Sequence, residues 1–302
     1  MKARELLDRY NQGFRDFDNI DFSREDLSGL GLTAIALASA NLSETNLSCT
    51  TLNEANLYGA NLHTAVLYRA SLSDTNLCEA DLNGASLIKA DLHCARLERA
   101  NLRDADLTGA NLNAVSLANA DLTGANLSCA SLVGANLEGA NLSEAFLKGA
   151  NLDGAKLKAA NLQRANLSGA SFNEADLSQA NLNGADLSHA NLYATNLSDA
   201  LLSKADLSGA NLSGSNLNCA DLREASLNGA FLVDAQLGRA HLDGANLSKT
   251  NCYKANFKAA FLLRTKLNGA NLNCTDLSNA SLQKGDDQGS DQGDRAPIYA
   301  VE

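Results

Sequence analysis

Four histidines, seven cysteines and 35 acidic residues are the side chains of this 302-residue chain best suited to chemistry. His93 and Cys94 are adjacent, as metal ligands can be, but zinc needs three or four ligands and no further one lies nearby in the sequence. Most aspartates stand directly before a leucine, and asparagine takes the same position freely, as in Asn136-Leu137 and Asp206-Leu207. A position that accepts either residue serves hydrogen bonding and solvation, not proton transfer. Glycine recurs singly and never forms a Gly-rich phosphate cradle followed by Lys. The expectation is a protein that is not an enzyme and has no catalytic, cofactor or metal site.

The elements that would have to position these groups follow a strict clock. From Phe17 to Leu282, every fifth residue belongs to one series of 54 positions. Forty-nine are Leu, four are Phe (Phe17, Phe22, Phe172, Phe257) and one is Cys252, so the register never slips. Ala lies two before most of these leucines and Asn or Asp lies between, as in Ala135-Asn136-Leu137-Glu138-Gly139. On this clock His189 and His241 fall at other positions than His63 and His93, so the four histidines cannot converge.

A five-residue step rotates about 140° net around a helix, so the leucines would leave it no apolar face. In a continuous strand an odd step flips each leucine to the opposite side. The chain must therefore bend once per repeat. Ala and Leu share the inner face of a short extended piece, and the two residues after Leu make the corner. Gly at the second corner residue (Gly109, Gly149, Gly169, Gly209, Gly229) suits a turn with φ > 0. Corners with Glu, Lys or Arg there suggest a second turn type without positive φ. Small residues, mostly Ala or Thr, two before Leu keep the interior narrow and filled. Larger Ile20, Leu30 and Ile35 occur only near the start. Sides that always turn one way stack into a β-solenoid.

The A(D/N)LXX unit resembles that of the pentapeptide repeat family over about residues 16–282. The resemblance implies an all-β fold, a right-handed quadrilateral β-helix with four repeats per coil, hence about 13 coils. At about 4.8 Å per coil the rod would be about 65 Å long. Residues 1–14 break the register. Leu6, Leu7, Tyr10 and Phe14 have helical spacing, and this stretch is expected to form a helical cap on a solenoid over 15–282. The run Leu-Leu-Asp-Arg-Tyr…Gly-Phe-Arg-Asp-Phe is similar to the start of many cyanobacterial pentapeptide repeat proteins. Residues 283–302 lose the repeat and read as a flexible acidic tail. Its apolar end, Ala296–Glu302, would either stay solvated or dock on the last coil or on a partner.

Leu30–Ala40 is apolar and ends Ala38-Ser39-Ala40 like a cleavage site, but acidic residues precede it and Leu32 and Leu37 keep the register. No stretch suits a transmembrane segment. With no other targeting segment, a cytoplasmic protein is expected. Cys49 and Cys129 share a column but would lie about 19 Å apart at the strand spacing, and the seven cysteines are expected to remain free.

Function must then lie on the outside. Tyr193, Val233 and Tyr253 share an outward column beside Phe231, with Val133 further along, and form a candidate protein-contact face. Leu201, Phe261 and Leu263 form a second candidate face, with His241 on it. Arg239, Lys249, Lys254, Lys258, Arg264 and Lys266 make the C-terminal coils basic, facing either the acidic tail or an acidic partner. The expected role is a protein-interaction scaffold whose partner is an unknown protein. End-to-end or side-by-side self-association is compatible with it. The alternative is the DNA mimicry attributed to the quinolone-resistance branch, which is thought to bind DNA gyrase. DNA carries about one charge per 1.7 Å, or about 38 over the rod. Taking −1 for residues 1–25 and −3 for residues 283–302 from the total of −11 leaves −7. Direct nucleic-acid binding is not expected either.

Overall fold

The computed structural model describes residues 1–281. Parallel bridges join each residue before an interior leucine to the residue twenty positions on, from Asp16↔Ala36 to Phe261↔Ser281. Four five-residue units therefore make one turn, and each turn has four sides. The first face carries Asn41-Leu42, the second Asn46-Leu47, the third Thr51-Leu52 and the fourth Asn56-Leu57. Residues twenty apart are stacked in columns.

Backbone hydrogen bonding explains the five-residue clock. In the unit Asn41–Thr45, Asn41 N–H donates to Ile20 O in the coil before, at 2.9 Å. Leu42 and Glu44 N–H donate to Asn61 O and His63 O in the coil after, at 2.7 and 2.9 Å. Thr45 N–H closes the corner on Leu42 O at 3.2 Å, and Ser43 N–H takes the Asn41 Oδ1 at 3.2 Å. All five donors are thus placed, as buried backbone groups require.

The second corner type expected for Glu, Lys and Arg does not occur. Every corner from Asn19 to Asn279 has positive φ whatever residue occupies it, from 53° at Thr64 to 71° at Gly244. A turn closed from first to fourth residue with φ > 0 only at the third has the type II pattern. A non-glycine residue there is strained by about 1–2 kcal/mol. The bonds to the next coil on both sides of the corner impose the conformation, so the stack overrides local preference.

The leucine ladder is buried from Phe17 to Leu262 and the alanine column from Ile35 to Ala260, including Leu32, Ile35, Leu37 and Ala40 of the Leu30–Ala40 stretch. Thr in the alanine column pairs its hydroxyl with backbone one coil away. Thr45 Oγ1 donates to Phe22 O at 2.8 Å and Thr195 Oγ1 to Phe172 O at 2.7 Å. Among the described residues no buried side-chain polar atom lacks a partner. All seven cysteines are unpaired.

Helix α1 spans Ala3–Asn11 and lies across the first coil. Leu6 is its buried anchor. Met1 ammonium donates to Asp21 O at 2.9 Å, Lys2 Nζ bonds the Glu25 carboxylate, and Tyr10 hydroxyl donates to Thr33 O at 2.9 Å. At the other end Leu267, Leu272 and Leu277 are only half-buried. The expected tail over 283–302, its acidic residues and the Ala296–Glu302 segment lie outside the described residues. No described helix is long and apolar enough to cross a membrane.

Candidate functional site

The outer surface is built on the Asn/Asp column. Its Oδ1 accepts the N–H two residues on, as Asp206 does from Ser208 at 2.9 Å. Asparagine adds a ladder along the rod: Asn161 Nδ2 donates to Asn141 Oδ1 at 2.9 Å, and Asn181 Nδ2 to Asn161 Oδ1 at 3.1 Å. Hydrogen bonds from Ser23 hold Asp21 below its ordinary value, and those from Ser28 and Ser278 do the same for Asp26 and Asp276. Carboxylates held ionised by backbone donors are acceptors, not proton carriers.

An apolar residue in this column removes the local acceptor, and the coil before can supply another. With Leu201 in the column, Ser203 N–H turns to Asn183 Oδ1 at 3.0 Å. With Phe261 there, Leu263 N–H turns to Asp243 Oδ1 at 3.1 Å. Both substitutions are therefore accommodated without stranding a backbone donor.

The third face carries the first predicted group. Tyr193 is 50% exposed and Phe231 is 49% exposed, Tyr253 is exposed, and Val233 is half-buried between them. The Tyr193 ring extends toward Gly214 in the next coil, and Lys254 Nζ lies 5.2 Å from the Tyr253 ring centroid. Val133 is exposed in the same column, but three coils before Tyr193. The first face holds Leu201 and Phe261, both exposed, with Leu263 half-buried and His241 stacked on Phe261.

The structure does not gather the basic residues into one patch. Arg239 and Lys258 lie on the fourth face and Lys249 and Lys266 on the second, while Lys254 is on the third and Arg264 on the first. They ring the C-terminal coils because corners recur on all four sides. His63 and His241 share a face but are nine coils apart, and no group of three or more metal-ligating side chains occurs among the described residues.

Eight copies of the family model for pentapeptide repeats match the chain, from residues 36–74 through 245–284. The chain belongs to the pentapeptide repeat family. Its members fold as right-handed quadrilateral β-helices and are generally non-enzymatic structural or interaction proteins. One similar solved structure is HetL of the cyanobacterium Nostoc sp. strain PCC 7120, a pentapeptide repeat protein involved in heterocyst differentiation regulation. It is 33% identical over 93% of this chain and 96% of its own, with a TM-score of 0.28. A pentapeptide repeat protein of the Arabidopsis thaliana thylakoid lumen is 34% identical over 35% of this chain and 66% of its own, with a TM-score of 0.19. QnrB1, a plasmid-mediated fluoroquinolone resistance protein, is 19% identical over 62% of this chain and 89% of its own, with a TM-score of 0.42. No curated protein matches.

Several exposed apolar side chains escaped the sequence reading. Phe146 is 51% exposed on the second face, Val66 and Tyr68 share that face nearer the start, and Tyr58 is exposed on the fourth. Phe146 and Val66 occupy the Asn/Asp column, so an apolar residue just before the repeat leucine marks them in the sequence.

Proposed function

We propose that this pentapeptide repeat protein is a non-enzymatic interaction scaffold, a rod that presents side chains at fixed spacing to a protein partner. The observation that carries this reading is the third-face group of Tyr193, Phe231, Val233 and Tyr253. Tyrosine and other aromatics are enriched at interface anchors, and single exposed apolar residues are ordinary while a column of them is not. Leu201, Phe261 and Leu263 offer a second surface. We divide the chain into a helical cap over 1–14, a rod of about 13 coils over 15–282 and a tail over 283–302. Seven unpaired thiols fit a reducing compartment, and we place the protein in the cytoplasm.

The test is affinity capture from the native cell with the intact protein and with Tyr193, Phe231, Val233 and Tyr253 changed to Ser. Loss of one or more partners from the variant is expected. Identical partner sets would reject the face. A gyrase-directed DNA mimic is the second reading, and the rod's −7 speaks against its full-length form. Unchanged gyrase supercoiling at micromolar protein is expected, and inhibition would favour that reading instead.

A further inference from the structure

The fourth face contains a hollow of about 330 Å³ lined by Tyr58, Cys78, Glu79, Arg96, Glu98, Arg99, Ala118 and Asn119. Its origin is columnar. Tyr58, Cys78, Glu98 and Ala118 occupy one outward position in four successive coils, and small Ala118 leaves the space beyond Glu98. Glu79, Arg99 and Asn119 stand in the adjoining column.

The hydrogen bonding inside it is unusual. Both carboxylates are taken by neutral donors: Tyr58 hydroxyl donates to Glu79 Oε2 at 2.6 Å, and Cys78 Sγ donates to Glu98 Oε2 at 2.8 Å. The guanidiniums stand further off, with Arg96 Nε 3.6 Å from Glu98 Oε1 and Arg99 Nη1 3.8 Å from Glu79 Oε1. Those distances exceed hydrogen-bond range. Two other arginines of the rod are held by paired bonds, whereas Arg164 stands 3.7 Å from Glu144, much as Arg96 and Arg99 stand from their glutamates. Arg24 makes two bonds to Glu44, at 3.1 and 3.0 Å, and Arg223 makes two to Asp221, at 2.8 and 2.5 Å.

The protonation states keep this arrangement in place. Burial, then the bond and charge of Glu98, push the Cys78 thiol up, and the bond to Glu79 pushes the Tyr58 hydroxyl up. Burial alone would raise Glu98, but the thiol and backbone bonds outweigh it and hold the carboxyl below its ordinary value. Thiol and phenol therefore stay protonated donors and the carboxylates stay occupied. Each guanidinium keeps its glutamate within ion-pair distance, but among the described residues neither fork donates a hydrogen bond.

We propose that this hollow is an oxyanion site, in which Arg96 and Arg99 bind a carboxylate or phosphate group with the Asn119 amide at its edge. Guanidinium forks match both groups in geometry and charge. The site lies on a different face from the third-face group and does not depend on it.

The test follows the arginine Nε–H signals of the full-length protein by NMR at constant ionic strength. Inorganic phosphate and acetate are titrated in separate experiments. Saturable shifts at Arg96 and Arg99, absent at Arg24 and Arg223, are expected with at least one anion. Saturation by phosphate alone assigns the site to phosphate groups, and saturation by acetate assigns it to carboxylates. Arg96→Gln should weaken the response at Arg99 at least tenfold. Ala118→Glu, at a half-exposed position, should place a carboxylate in the hollow and abolish it. No saturable shift with either anion, or equal shifts at Arg24 and Arg223, would overturn the proposal.

Discussion

The rings of His241 and Phe261 lie stacked, 4.4 Å between centroids and 9° from parallel, twenty residues apart in sequence. Their backbones form a parallel bridge, so the column spacing of about 4.8 Å sets the ring separation. Aromatic pairs contribute about 0.5–1.5 kcal/mol beyond area burial. Phe261→Ala should therefore speed amide exchange in the coils of His241 and Leu263 about two- to tenfold, while leaving exchange near Leu42 unchanged. Unaltered exchange across the whole rod would show that the stacking contributes nothing.

Leu201 and Asn183 are coupled through a backbone donor. Asn183 accepts Ser203 N–H only because Leu201 has displaced the usual Asn or Asp. Asn183→Ala should destabilise the protein by about 1 kcal/mol. In a Leu201→Asn background the local acceptor is restored, and the same change should cost little. A double-mutant cycle in thermal or denaturant unfolding reads the coupling, and additive effects would contradict it.

These two relationships mark what one chain can and cannot reveal. The leucine register told which residues are interior, because only one side of each short piece can face in. The number of repeats per turn came from the family resemblance, since a period of five does not contain it. Without that number no one can see that Leu201 borrows from Asn183 or that Tyr58, Cys78, Glu98 and Ala118 form one column. Positive φ at Glu44 or Arg99 was illegible for another reason. Local preference argues against it, and bonds to the neighbouring coils impose it. The third-face residues are legible as exceptions to the pattern, and Phe146 is equally visible as an apolar residue in the Asn/Asp column.

The imposed corners predict an asymmetry between glycine and alanine. A Cβ on Gly134 would meet nothing within 4 Å, so Gly134→Ala tests its φ of 65° alone. It should lower stability by about 1 kcal/mol. Ala159→Gly and Ala194→Gly, at φ 55° and 53°, should be neutral or mildly stabilising, because relief of strain is partly offset by glycine's unfolded-state entropy of about 0.4–1 kcal/mol. The comparison is unfolding midpoints under one set of conditions. A stabilising Gly134→Ala would show that the corner is not strained.

Acid should release the helical cap before it melts the rod. The bond from Lys2, ahead of the opposing effect of burial, holds the Glu25 carboxyl below its ordinary value of 4.5. A depressed folded-state value means that the ionised form is bound more tightly in the native state. The contribution is then fully present above about pH 4.5, the unfolded value, and is lost as pH falls through the lower folded value. The buried ladder around Leu137 and Leu142 carries no ionisable group, and the rod's carboxylates that share this sign of dependence, Glu98 and Asp121 among them, sit on its outer faces and not in that ladder. Amide exchange of Leu6, Leu7 and Asp8, corrected for intrinsic rates, should accelerate below pH 4.5 while that of Leu137 and Leu142 stays protected. Lys2→Ala should abolish most of the difference between pH 6 and pH 3.5, because the group that depresses Glu25 is gone. If the cap kept the same acid response without Lys2, another carboxylate would govern its docking, and Asp21, whose backbone O accepts the Met1 ammonium, would be the next to replace.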